Sequence, residues 1–116
     1  MQVLFIILNK IECLEEILEA FGEEHISGAT VLESRGMAQI LCENDSDTPF
    51  MTSLCALFEP SHSENRTIMV VLEDEKIPVV SRIMNEITGG LENHDTGIMF
   101  AMPVTYTEGF KKKDEV

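Results

Sequence analysis

Four short runs of the chain are apolar without a helical stripe. Such runs are typical of strands, whereas amphipathic helices place apolar residues three and four positions apart. The runs predict four strands, at about residues 2–8, 29–34, 67–73 and 97–104. In the first, third and fourth runs both alternating sets of side chains are apolar, so both faces of those strands are expected to be buried.

Two amphipathic helices are predicted between these strands. The first has Asn9 as a candidate N-cap and Gly22 as its stop. The second begins near residue 74, carries Pro78 in its first turn and breaks at Gly89. Their apolar faces consist of Ile11, Leu14, Ile17, Leu18 and Phe21, and of Ile77, Val80, Ile83, Met84 and Ile87. The element order predicts an α+β, ferredoxin-like βαββαβ sandwich, in which a four-stranded antiparallel sheet carries two helices on one face.

Residues 37–66, called the excursion below, form a long connection between the second and third strands. Thr48 is a candidate N-cap and Pro49 suits the first helical position, which predicts a short helix here. Its apolar face would consist of Phe50, Leu54, Leu57 and Phe58. This helix would either dock a partner or pack back on its own oligomer, and the sequence leaves both open.

The two predicted helices are expected to cover one face of the sheet only. The other face is also apolar, so something else must shield it from water. The simplest cover is another copy of the chain, which predicts a homo-oligomer with its sheets facing inward.

Length and charge restrict the class of protein further. The 116 residues form one domain, 1–116, with a polar C-terminal tail at 105–116. The formal net charge of −13 repels nucleic acid and anionic lipid, and no nucleic-acid partner is predicted. No apolar run reaches about 18 residues, so no membrane insertion is predicted. Three cysteines, an odd number without C-x-x-C spacing, predict reduced thiols in a cytoplasmic protein.

Side chains suited to chemistry are few. No nucleophile–base signature or P-loop occurs, and the protein is predicted not to be an enzyme. His94 lies between Glu92 and Asp95, and with Cys42 and Cys55 these residues leave a loop metal site as an alternative. The spacing matches no recognised metal motif.

The order of several segments resembles the nitrogen-regulatory PII signalling proteins and their PII-like relatives. TVLESRG, Thr30 to Gly36, is similar to the family's T-V-x-E-x-[KR]-G segment before its long T-loop. Thr88-Gly89 resembles the start of the phosphate-cradling loop, and GIMFAMPV resembles the strand G-K-I-F-V-x-P-V. The resemblance covers residues 1 to about 104. It implies a homotrimer with adenine nucleotide in inter-subunit clefts, signalling to a membrane transporter or regulatory protein through residues 37–66.

The resemblance also implies a set of ligand-contacting residues. These are Thr30, Gly36, Met37, Gly89, Gly90, Gly97 and Lys111. Three family cations are missing, because Ile98 and Gly90 replace loop lysines and Gly109 replaces a C-terminal arginine. The family's magnesium-binding glutamine aligns with Ile40, one residue after Gln39. Since charged donors make the strong contacts to phosphate, two ligands remain open: an adenine nucleotide, or a smaller and less charged molecule held by backbone donors.

Two other protein classes remain as alternatives to a PII-like regulator. One is a metal-binding trimer resembling the divalent-cation-tolerance proteins, using His94 and its acidic neighbours or the cysteines. The other is an amino-acid-binding ACT domain, whose middle strands are usually joined tightly. The long excursion argues against the ACT domain.

Overall fold

The computed structural model describes residues 1–43, 48–57 and 64–110. Within these ranges the strands are β1 (Gln2–Leu8), β2 (Thr30–Ser34), β3 (Asn65–Leu72) and β4 (Gly97–Pro103). The α-helices are α1 (Leu14–Glu23), α2 (Met37–Glu43), α3 (Pro49–Cys55) and α4 (Ile77–Thr88). The predicted α+β, ferredoxin-like class is confirmed. None of these helices is long and apolar enough to cross a membrane.

The four strands form one antiparallel sheet in the order β2-β3-β1-β4. Leu8, at the end of β1, lies opposite Arg66 on one side and Gly97 on the other. Ser34, at the end of β2, lies opposite Asn65. The ends of β1 and β2 and the starts of β3 and β4 therefore meet at one end of the sheet, called the loop end below.

The main core lies between the sheet and the two longer helices. Leu4, Ile6 and Leu8 alternate along β1 and are almost completely buried. They form one cluster with buried residues of α1 and α4, which are Ile17, Phe21, Val80, Ile83 and Met84. Each such aliphatic side chain stabilises the fold by about 1.5–3 kcal/mol through burial. The apolar stripes predicted for these helices thus face the sheet.

The start of the first helix differs from the prediction. Asn9 does not cap it, because a 3-10 turn (Ile11–Cys13) precedes α1 and the Asn9 side chain accepts a hydrogen bond from Asn65 Nδ2 at 3.4 Å. Gly22 does not stop α1 either, since the helix continues to Glu23. The helix is followed by His25 in the left-handed region, with φ of 62°. A glycine near a helix end costs only about 1 kcal/mol, which the packing of Ile17 and Phe21 offsets.

The excursion contains two short helices where one was predicted. The Thr48 cap is confirmed, because Met51 N donates to Thr48 Oγ1 at 3.2 Å. On the predicted apolar face, Phe50 is 71% exposed and Leu57, which follows α3, is 52% exposed. The residue of α3 that is buried is Met51. The preceding helix, α2, was not predicted, since its seven residues are too few to show a clear period. Phe58 lies outside the described residues.

The face of the sheet opposite the helices is apolar, as predicted. Its residues, called the helix-free face below, are Val3, Phe5, Ile7, Thr30, Leu32, Ser34, Asn65, Thr67, Met69, Val71, Ile98, Phe100 and Met102. The rings of Phe5 and Phe100 stack across neighbouring strands with centroids 5.4 Å apart. Ile98 is 57% exposed and Phe100 is 43% exposed. None of the thirteen residues is charged, and nine of them are apolar, the exceptions being Thr30, Ser34, Asn65 and Thr67. This face is therefore electrically neutral and mostly apolar.

The prediction of three reduced thiols is wrong for two of the cysteines. Cys42 at the end of α2 and Cys55 at the end of α3 form a disulfide, with Cα atoms 5.5 Å apart. Only Cys13 is a free thiol among the described residues, and it is buried. The pairing could not be read from spacing, because it depends on α2 and α3 folding back on each other.

Candidate functional site

Most of the predicted ligand-contacting residues lie at the loop end. Gly36 and Met37 follow β2, and Met37 is 75% exposed. Gly89, Gly90 and Gly97 belong to the connection from α4 to β4, whose residues 89–96 are called the glycine loop below. Two other predicted residues lie apart: Thr30 is on the helix-free face opposite Met69, and Lys111 lies outside the described residues.

The two groups at the loop end lie at opposite edges of the sheet. Gly36 and Met37 follow the edge strand β2, while Gly97 begins the other edge strand, β4. Two strands lie between these edges, so the separation across the sheet is about 14 Å at about 4.8 Å per strand. A single chain therefore does not bring Met37 and Gly97 together around one small ligand.

The glycine loop closes α4 with hydrogen bonds inside the chain. Gly89 is left-handed, with φ of 87°, and ends the helix as a glycine C-cap. Gly90 N donates to Thr88 Oγ1 at 3.2 Å, and Leu91 N donates to Asn85 Oδ1 at 2.8 Å. These two backbone donors, which a phosphate cradle would direct at its ligand, are engaged within the loop itself.

Thr88 is the residue that organises this turn. Its side chain is buried, and its hydroxyl donates to Met84 O at 2.7 Å while accepting from Gly90 N. Thr88→Val keeps the shape but leaves the Gly90 N–H without its acceptor, and we expect a loss of about 1–3 kcal/mol in the free energy of unfolding. Urea denaturation measures this loss. Thr88→Ser retains the hydroxyl and is the matched control, and equal losses in the two variants would contradict the capping role.

Gly97 serves the packing of β4 against β1. A Cβ atom at this position would lie 2.7 Å from the carbonyl oxygen of Ile7 and 3.4 Å from the Cα of Leu8. No side chain fits at that distance without moving one strand from the other. The glycine is therefore required by the fold, whatever the loop binds.

A cavity of about 220 Å³ opens between the end of β1 and the glycine loop. Its lining combines the amides of Asn9 and Asn93 with Asp95, Thr96, Gly97 and the apolar pair Ile7 and Ile98. Ile7 and Ile98 lie opposite each other on the helix-free face, so the cavity borders that face. It is smaller than the cavities of about 300–1,000 Å³ that usually hold drug-sized ligands.

The charges around the cavity do not favour a polyphosphate. None of its seven lining residues is Lys or Arg, and Asp95 contributes a carboxylate. Lys10 follows Asn9 in the chain, but its Nζ donates to Thr88 O at 2.9 Å, where it caps the C-terminus of α4. Several polar groups of the lining hydrogen bond within the chain: Asn93 Nδ2 donates to Gly89 O, Thr96 Oγ1 donates to His94 O, and Asn9 Oδ1 accepts from Asn65. A lining without a cation suits a small ligand with little negative charge.

Polar side chains fix the start of the excursion at the edge of the sheet formed by β2. Gly36 N donates to Gln39 Oε1 at 2.7 Å, and Gln39 is buried. Asn65 is also buried and hydrogen bonds with Ser34. The family glutamine aligned with Ile40, but Ile40 is 44% exposed and the neighbouring Gln39 holds the backbone of Gly36. The sequence alone did not indicate this role.

The excursion touches the glycine loop. His94 Nε2 hydrogen bonds with the carbonyl oxygen of Leu57, just after α3. This contact joins the two segments that the sequence assigned to ligand binding and to signalling.

No group of three metal-binding side chains occurs in residues 1–43, 48–57 and 64–110. Cys42 and Cys55 are bonded to each other, and His94 contacts Leu57. The described geometry offers the metal-site alternative no coordination shell.

Comparison with solved structures finds proteins of similar fold. The chain is similar to a functionally unknown protein from Pediococcus pentosaceus ATCC 25745. The TM-score is 0.62 at 17% identity, over 94% of this chain and 96% of that protein. No family model and no curated protein matches the chain. At this identity the likeness extends to the fold and not to function.

Proposed function

We propose that this protein is a non-enzymatic, PII-like cytoplasmic regulator that assembles through its helix-free face. It would bind a small molecule in clefts between copies, with a homotrimer as the expected assembly. The excursion would pass the ligand state to a protein partner such as a transporter or another regulator.

The apolar helix-free face is the observation that carries this proposal. Exposed residues such as Ile98 and Phe100 would leave water on association, and apolar burial contributes about 25 cal/mol per Å². A second copy is the best-suited occupant, because the chain carries a net charge of −13 but none of it lies on this face. Copies meeting here bring no like charges into contact.

Assembly would also complete the ligand site. Met37 follows the edge strand β2 and Gly97 begins the opposite edge strand, β4. A neighbouring copy is therefore needed to bring a β2 edge next to a β4 edge. The cavity beside Ile7 and Ile98 borders the face that association would cover. The lining contains Asp95 but neither Lys nor Arg, which favours a small ligand of low negative charge over ATP.

The contact between His94 and Leu57 supports signalling from this site. A ligand that moves the glycine loop would also move the carbonyl of Leu57, and with it the end of α3. The exposed Phe50 on α3 is the kind of side chain that a protein partner would bury.

A thermal-shift screen on the assembled protein tests this function. The panel contains ATP, ADP, AMP, cyclic nucleotides, bicarbonate and divalent metals, with protein concentration held constant. A ligand selective for the native state at 100 times its Kd adds about 2.7 kcal/mol to the free energy of unfolding and raises Tm. We expect a small ligand of low negative charge to raise Tm more than ATP does. A protein that is monomeric by light scattering and unaffected by every ligand would contradict the proposal.

A further inference from the structure

The disulfide between Cys42 and Cys55 lies entirely within the excursion. It joins the end of α2 to the end of α3, and both sulfur-bearing residues are half-buried. The main core contains no residue of the excursion. The bond therefore links two surface helices and leaves the sheet and its two longer helices untouched.

The two linked helices depend on this bond more than ordinary helices would. Each has only seven residues, and isolated helices shorter than about 12 residues are marginal in water. Closing the 13-residue separation between the cysteines removes much of the conformational freedom of the open segment. Reduction would thus loosen α2 and α3 relative to each other.

The third thiol does not interfere with this pair. Cys13 is 8% exposed and its Sγ lies 3.8 Å from Ile87 O at the end of α4. Burial raises the pKa of the Cys13 thiol, which lowers the fraction of reactive thiolate. Exchange between Cys13 and the surface pair is therefore disfavoured, and the pair has two defined states.

We propose that Cys42 and Cys55 form a reversible dithiol–disulfide site that sets the conformation of the excursion, with a low-potential dithiol as its reductant. One thiolate of the reductant attacks a protein sulfur and displaces the other cysteine as a thiolate. The second thiolate of the reductant then resolves the mixed disulfide. Two electrons pass to the protein, the two cysteine thiolates take up two protons, and the reductant becomes a disulfide. This inference needs no ligand in the glycine-loop cavity.

The opposite direction uses a disulfide oxidant such as glutathione disulfide. The Cα atoms of Cys42 and Cys55 lie within the usual range for a bonded pair, so the helices as packed are placed for closure. After the disulfide opens, the excursion would still be attached to the rest of the chain by contacts that include two hydrogen bonds. One joins Gln39 to Gly36, and the other joins Leu57 to His94. The exposed apolar residues of the excursion would then adopt a different arrangement toward any partner.

Thiol counting and proteolysis of the full chain test this proposal. After incubation with dithiothreitol and removal of the reagent, iodoacetamide should label two cysteines in the native protein, against none before reduction. Chymotrypsin should cleave near Phe50 and Leu54 at least about tenfold faster in the reduced protein. Trypsin is the internal control, because residues 37–57 contain no Lys or Arg and its cleavage elsewhere should not change.

A Cys42→Ser variant should show the fast chymotrypsin cleavage with or without dithiothreitol, while Cys13→Ala should respond as the unmodified protein does. Glutathione disulfide should restore slow cleavage to the reduced protein. Resistance of the native protein to dithiothreitol, or equal cleavage of its two redox states, would overturn the proposal. If the protein shows this redox response but neither binds a ligand nor assembles, the proposed function is refuted and the redox proposal stands.

Discussion

Phe100→Glu is expected to separate the proposed assembly into folded monomers. Phe100 lies in the middle of β4, stacked on Phe5 and 43% exposed in the single chain. An unpaired carboxylate buried in an apolar interface costs several kcal/mol, and every copy in the assembly would carry one. The association constant should fall by about a thousandfold or more, which corresponds to about 4 kcal/mol. Light scattering coupled to size-exclusion chromatography measures the mass directly.

Phe50→Glu is the matched control for this change. It makes the same substitution at an exposed phenylalanine on α3, away from the helix-free face. The control should keep the mass of the unmodified protein. Circular dichroism checks that both variants fold. A monomeric unmodified protein, or a Phe100→Glu variant that remains assembled, would contradict association through the helix-free face.

Gly97→Ala is expected to destabilise the fold by about 1–3 kcal/mol, which is the usual cost of overpacking. The new Cβ atom would lie 2.7 Å from the carbonyl oxygen of Ile7, so β4 must move away from β1. That movement weakens the cross-strand hydrogen bonds at the loop end and distorts the cavity lined by Ile7 and Ile98. Urea denaturation at fixed protein concentration measures the change.

Gly22→Ala is expected to change the free energy of unfolding in the opposite direction, measured by the same urea denaturation. A Cβ atom at position 22 meets nothing within 4 Å, and the residue lies inside α1. Alanine should therefore stabilise the protein by about 0.5–1 kcal/mol. If Gly97→Ala also proved neutral or stabilising, the glycine would not be required for strand packing. Its role would then have to be in ligand binding by the glycine loop.

The glycine loop illustrates how a motif can be read in two ways. The sequence TGG before an apolar strand fits a phosphate cradle, and it equally fits a helix end followed by a strand. The structure engages Gly90 N with Thr88 and Leu91 N with Asn85, while Gly97 allows β4 to approach β1. Asn85 lies six residues before Leu91, so the hydrogen bond between them depends on the folded turn. No local spacing rule would have paired them.

In the excursion, too, some features follow from the local sequence and others only from tertiary contacts. Thr48 and Pro49 marked the start of α3 correctly, because capping acts within a single turn of backbone. The sequence did not indicate that Met51 rather than Phe50 would be the buried residue of that helix, because this depends on what α3 packs against. The disulfide between Cys42 and Cys55 was missed for a related reason, since it needs α2 and α3 to lie side by side.

The sequence by itself determined the strands, the two core helices and the sheet with two apolar faces. Hydrophobic periodicity is a local property, and the alternation along β1 is enough to place Leu4 and Phe5 on opposite faces. Only the tertiary structure decided which glycine donors are engaged, which cysteines pair and which edges hold the candidate site. Those outcomes depend on contacts between residues far apart in the chain, whose distances are set by how the whole sheet and its helices pack.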